Sequence, residues 1–187
     1  LKVKKTTNDA FRKIWLYRLK DRKVMVLRQA MEVDAPKIIE RLRRVLDDGV
    51  YLEEEKDTMN SPQEEAAFIR QMKEEGSMYT VAEISDAIAG VAQIKRGQLE
   101  MNRHIGTFRI WLGPGFQGYG IGSKLMDYSL QWAKHHGLEK VCLDVFADNE
   151  RAIDMYKKYG FVVEGYRKDQ FILDGKHVDE VFMSKFL

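Results

Sequence analysis

Gln117-Gly118-Tyr119-Gly120-Ile121-Gly122 sets three alternating glycines between an apolar run at 108–112 and a helical pattern carrying Ile121, Leu125, Tyr128 and Trp132 on one face. Glycine admits positive φ and lets the backbone approach a ligand closely. The first turn of the following helix offers unpaired N–H donors at the positive end of its dipole. A strand, a glycine turn and a helix in this order can therefore grip a phosphate. The same turn can also be a plain tight connection, and the residues that decide between the two lie downstream.

The chain has 187 residues, 44% of them hydrophobic, enough for one substantial core and a single domain. No apolar run approaches the roughly 20 residues that cross a bilayer. The basic N-terminus lacks the apolar stretch of a signal peptide, so a cytoplasmic protein without a membrane partner is expected. Net charge is +2, from 31 basic and 29 acidic residues, which gives no global field for a nucleic acid and points to a small or local partner. Residues 1–22 hold eight Lys or Arg against Asp9 and Asp21, interleaved with Phe11, Trp15 and Tyr17. They are read as a basic N-terminal extension, a tail or a strand or helix docked on the domain, and 23–187 as the domain itself; an arm touching RNA or membrane is the rival. The lone Cys142 excludes an internal disulfide, and in Val141-Cys142-Leu143 it reads as structural.

The break at 20–23 suggests a hairpin between 14–19 and 24–28, with a short helix through Phe11, Ile14, Trp15 and Arg18 as the alternative. Asp34 reads as the N-cap of a helix with Pro36 in its first turn and Ile38, Ile39, Leu42, Val45 and Leu46 at helical spacing. Ser61-Pro62-Gln63-Glu64 is a capping-box pattern that opens a second helix ending near Gly76. Strands are expected at 78–84, 87–94, 104–112, 141–146, 161–166 and 178–186, with Asp174-Gly175 a turn signal. The glycine-led helix closes at Gly137, and the last helix spans 149–159.

Gln117-x-x-Gly120-x-Gly122 is followed by Asn149-x-x-Ala152-x-x-x-Tyr156-x-x-x-Gly160-Phe161. With these two motifs the chain resembles the GNAT superfamily of N-acetyltransferases, and residues 24–187 follow the family's order of elements. The resemblance implies a mixed α+β fold: a central, mostly antiparallel sheet of six to seven strands, splayed at the cofactor site and flanked by four helices. It implies acetyl-CoA as cofactor, its pyrophosphate on Gln117, Gly118, Tyr119, Gly120, Ile121, Gly122 and Ser123 and its pantetheine along the helix that carries Asn149 and Tyr156. Backbone donors without bulky side chains suit a pyrophosphate. Gln117 departs from the family's frequent arginine and leaves one fewer positive charge there. Pantetheine amides would pair with the main chain of Ile110 and Leu112.

Tyr156 is the candidate acid, since a tyrosine with an ordinary pKa of about 10 is protonated at neutral pH and can donate to a departing thiolate. Its other reading is a core-covering side chain, and Asn149 reads equally as a helix N-cap. An acceptor amine must lose a proton before it attacks. Asp144 is the candidate base, because alternation turns it away from Leu143 and Val145. The resemblance implies the same role, since in family members that acetylate protein N-termini an acid at this strand position, usually glutamate, serves as base; a buried aspartate holding a loop is the other reading, and His104 or a water the other base. Glu54 and Glu55, in the run Glu53-Glu54-Glu55, would attract a cationic amine or simply face solvent. No metal is expected, as the histidines and Cys142 make no ligand spacing.

The expected reaction is transfer of the acetyl group of acetyl-CoA to a primary amine by direct attack in a ternary complex. A small-molecule amine or amino acid comes first as acceptor and a protein N-terminus next. A non-catalytic acyl-CoA-binding sensor is the alternative, and dimerisation is common in the family. A dinucleotide-binding protein is the remote alternative. Gly118, Gly120 and Asp144 loosely mimic its fingerprint, but Ser123 replaces the third glycine and Gly113-Pro114-Gly115 separates the loop from its strand.

Overall fold

The computed structural model describes residues 14–19, 22–49, 52 and 54–187. Expectations that fall on residues 1–13, on Lys20, Asp21 or Glu53 lie outside these. Eight strands, β1 (Ile14–Arg18), β2 (Val24–Gln29), β3 (Met78–Ile84), β4 (Ala87–Arg96), β5 (Ile105–Leu112), β6 (Lys140–Phe146), β7 (Val162–Leu173) and β8 (Lys176–Phe186), form one sheet in the order β1-β2-β3-β4-β5-β6-β8-β7. Every neighbouring pair is antiparallel except β5 and β6. The α+β architecture matches expectation, and the sheet has one strand more than the six to seven expected. The added strand is β1, which the sequence left open between strand and helix and which pairs along its full length with β2.

Among the described residues four α-helices flank the sheet: α1 (Ala35–Asp47), α2 (Pro62–Glu74), α3 (Ile121–His135) and α4 (Glu150–Lys158). On one face Ile38, Leu42 and Val45 of α1 and Ile69 and Met72 of α2 pack on Tyr79, Val81, Val91 and Trp111. On the other, Ile121, Leu125, Tyr128 and Trp132 of α3 and Tyr156 of α4 pack on Ala92, Ile94, Phe108, Leu143 and Val145. Strand alternation divides β5 between the layers, with Phe108 in one core and Trp111 in the other. Cutting a fully buried leucine such as Leu125 to alanine costs about 2–5 kcal/mol.

Ser61 caps α2 as its pattern suggested, accepting from Glu64 N while the Glu64 carboxylate accepts from Ser61 N. Asp34 differs from expectation. It stands before α1 with helical backbone angles and makes no side-chain cap bond. Its carboxylate takes both guanidinium nitrogens of Arg28, at 2.7 and 2.8 Å, and the Met31 amide at 2.8 Å. A bidentate charged partner outcompetes helix amides for the same oxygens. Cys142 is half-buried, and burial pushes its thiol above the ordinary value, away from reactivity. Among the described residues no helix is long and apolar enough to cross a membrane.

The sheet opens at its one parallel junction. β5 and β6 pair at Ile105↔Lys140, Gly106↔Val141 and Thr107↔Cys142, and no further. At this closed end Gly106 leaves no room for a side chain, since a Cβ would stand 2.4 Å from Ile94 Cγ2 and 2.8 Å from Leu138 Cδ1. Beyond Thr107, β5 runs on to Leu112 held by β4, and beyond Cys142, β6 runs on to Phe146 held by β8. The gap leaves one backbone edge of β5 without a strand partner.

Candidate active site

The glycine turn crosses the open end of this gap. Gly118 and Gly120 have φ of 85° and 74°, the left-handed region that L side chains avoid, and no heavy atom lies within 4 Å of a Cβ built on either. The backbone is thus open to a ligand at both glycines. Lys124 N is bonded to Gly120 O, so the amides of Ile121, Gly122 and Ser123 precede the first internal bond of α3. They sit at the positive end of a 15-residue helix.

α4 forms the opposite wall. Asn149 caps it by accepting from Ala152 N at 3.2 Å, which establishes the capping role read from the sequence. Tyr159, which the sequence reading missed, ties α4 to α3: its hydroxyl donates within 2.9 Å of Ser123 O and 3.0 Å of Asp127 Oδ1. Burial first, then Asp127, pushes that hydroxyl up to about 12. Tyr156 is buried to 7% exposure, its ring edge-on to Phe108 at 6.4 Å and tilted against Phe161 at 5.8 Å. Burial and then the charge of Asp144 hold its hydroxyl well above the ordinary tyrosine value. A phenol so placed keeps its proton throughout the neutral range.

One cavity of about 680 Å³ reaches from the turn through the gap. It brings together Ile110, Leu112, Gln117, Gly118, Gly120, Ile121, Gly122, Ser123, Asp144, Asn149 and Tyr156. Tyr119 and Glu55 do not line it and face outward. His104 precedes β5 at the closed end and lines none of it; its carbonyl accepts from Glu139 N and Lys140 N. Glu54 reaches the site through a partner, its carboxylate 2.8 Å from Nη2 of Arg109, a cavity-lining residue.

Sequence reasoning also missed Arg109, Glu180, Phe146 and Phe171, which line the side of the gap facing away from α3 and α4. Glu180 is 3% exposed and accepts from Arg167 Nη1 at 3.0 Å. The Phe146 and Phe171 rings lie 4.6 Å apart. A signal existed for two of them: Arg109 interrupts Phe108 and Ile110, and Glu180 stands between Val178 and Val181, charges set within apolar strands.

The chain is 31% identical over 114 residues to the L-amino acid N-acetyltransferase AaaT of Escherichia coli (strain K12), covering 59% of this chain and 68% of that protein. Two further curated relatives are matched over only 28% and 23% of their own lengths. A solved GNAT-family acetyltransferase from Streptococcus pneumoniae superimposes with a TM-score of 0.82 at 28% identity, over 87% of this chain and 99% of that one. A phosphinothricin acetyltransferase from Sinorhizobium meliloti, solved in complex with AcCoA, does so with a TM-score of 0.79 at 25% identity, over 87% and 88%. The model of the Acetyltransferase (GNAT) family matches residues 42–161, a span that contains the opened strand pair, the glycine turn and α4, and on that match this chain belongs to the GNAT acetyltransferase family.

Proposed function

We propose that this protein transfers the acetyl group of acetyl-CoA to a primary amine, with a free amino acid or other small amine as the first acceptor class and a peptide N-terminus the second. The observation that carries the reading is the continuity of the cavity, which runs from the glycine turn to Asp144 and Glu180 on the opposite side of the sheet. A bound thioester and an incoming amine could thus meet inside the gap without crossing either core. The residues suit an acyl-CoA. The turn and first helical amides would hold the pyrophosphate, and the unpaired edge of Ile110 to Leu112 would take the pantetheine amides as a strand takes a neighbour. Acetyl-CoA, when bound, supplies the activated acyl group.

The chain's own groups would move the protons. Asp144, exposed on the acceptor side, would accept a proton from the ammonium directly or through water. Tyr156 would donate its retained proton to the departing sulfur; among the described residues no protein group bonds its hydroxyl, which leaves it available. Similarity to an L-amino acid N-acetyltransferase supports the acceptor class. The test is release of CoA from acetyl-CoA, read by a thiol reagent across a panel of amino acids, polyamines and peptides. Turnover with at least one amine is expected. Binding of acetyl-CoA without turnover on any amine would favour the sensor, and thermal stabilisation by NADH alone would favour the dinucleotide alternative.

A further inference from the structure

We propose that Arg109 reads a carboxylate on the acceptor, so that the preferred substrate is an amine that also carries an acid, and that Glu54 holds Arg109 in the carboxylate's absence. This rests on the transfer reading above for its site and adds the substrate's second charge. The geometry comes from the register of the opened pair. Thr107↔Cys142 is the last rung, and Arg109 and Asp144 each stand two residues beyond it on their own strands. Alternation puts both on the face of Trp111 and Phe146, and both line the cavity. A cation and an anion therefore stand on opposite lips of the gap, the arrangement that a zwitterion complements.

Among the described residues the other carboxylates on this side, Glu180 and Glu54, are paired. Glu180 is held by Arg167 at 3.0 Å, and Glu54 Oε2 lies 2.8 Å from Arg109 Nη2. With Glu54 bound, the Arg109 side chain is still 41% exposed at the cavity wall. An arginine in an apolar strand needs an anion, and a planar guanidinium suits any carboxylate in the same way. Exchanging Glu54 for an acceptor carboxylate would leave the guanidinium paired, and Glu54 sits on the connection between α1 and α2, outside any helix or strand. The nearby Leu52, Phe146 and Phe171 would favour an apolar side chain on the acceptor.

The experiment measures kcat/KM for L-leucine and L-phenylalanine and for their carboxamides, in the wild-type protein and in R109Q. Carboxamides have more easily deprotonated amines, but this difference cancels when acid-to-amide ratios are compared between proteins. The wild type is expected to prefer the acids relative to R109Q, the ratio falling about tenfold or more in the variant with acetyl-CoA affinity retained. A merely structural Arg109 would slow both substrates alike, and an unchanged ratio overturns the proposal. If R109Q does not fold, E54Q serves instead: KM is expected to fall for the acids and not for the amides, and an equal change in both overturns it. Calorimetric titration of the CoA complex with the two amino acids separates the two readings. Arg109-dependent binding without turnover keeps this inference and removes catalysis, and turnover of amides with no binding of acids does the reverse.

Discussion

The two sides of the opened strand pair are made in different ways. The glycine turn and the β5 edge present main chain and α4 adds side chains, all from three short segments, 110–112, 117–123 and 149–161, that are each continuous in sequence. On the opposite side the charged side chains come from four distant places: Glu54 before α2, Arg109 on β5, Asp144 on β6 and Glu180 on β8. Backbone recognition tolerates side-chain change at many positions and relies on conformation, as at Gly118 and Gly120. Side-chain recognition can be retuned by single substitutions while the fold stands. One fold can thus keep a common acyl donor and vary the acceptor.

Substitutions on either side should sharpen this contrast. The largest expected effect is Tyr156→Phe, a fall in kcat of about 10²-fold or more with acetyl-CoA affinity nearly unchanged, by steady-state kinetics and calorimetry. A large loss of affinity instead would make the ring a packing element. In the wild type, kcat should show no loss from tyrosine ionisation up to about pH 10, because burial and Asp144 both raise that hydroxyl. Next comes Asp144→Asn, with kcat/KM down about 10- to 100-fold near neutral pH. The loss should shrink as pH rises, because more of the amine is already free; a pH-independent deficit would mark Asp144 as structural.

Gly120→Ala follows. Its φ of 74° forces an L side chain into the left-handed region at a cost of about 1–2 kcal/mol, so acetyl-CoA should bind about tenfold more weakly or the turn should relax. No change in affinity would remove the turn from pyrophosphate binding. The smallest effect belongs to Ile110→Val, which should leave acetyl-CoA affinity within about twofold because its contribution is main chain.

The same contrast explains what could be read from the sequence. The glycine turn, Asn149 and Tyr156 were legible because each motif is a local stretch whose spacing is set by one turn and one helix. Arg109 and Glu54 are 55 residues apart and meet only because β5 lies beneath the connection that leads into α2. β1 was ambiguous because both its faces are apolar: Trp15 and Tyr17 pack on the core while Ile14 and Leu16 are 58% and 68% exposed, which hides the period of two. β7 runs seven residues past the expected end at Tyr166, to Leu173. Irregular register at Val163/Gly165 and Arg167/Phe171, with Asp169 at φ 49°, breaks the alternation by which a strand is recognised.

Capture of acetyl-CoA by main-chain amides in the gap beyond Thr107 and Cys142 predicts a local footprint. Amide hydrogen exchange, followed peptide by peptide with and without acetyl-CoA, reads that footprint. Protection is expected in peptides spanning 108–123 and 149–156, with β3 and β4 unchanged. Protection confined to any other part of the chain, or none with acetyl-CoA bound, would contradict it.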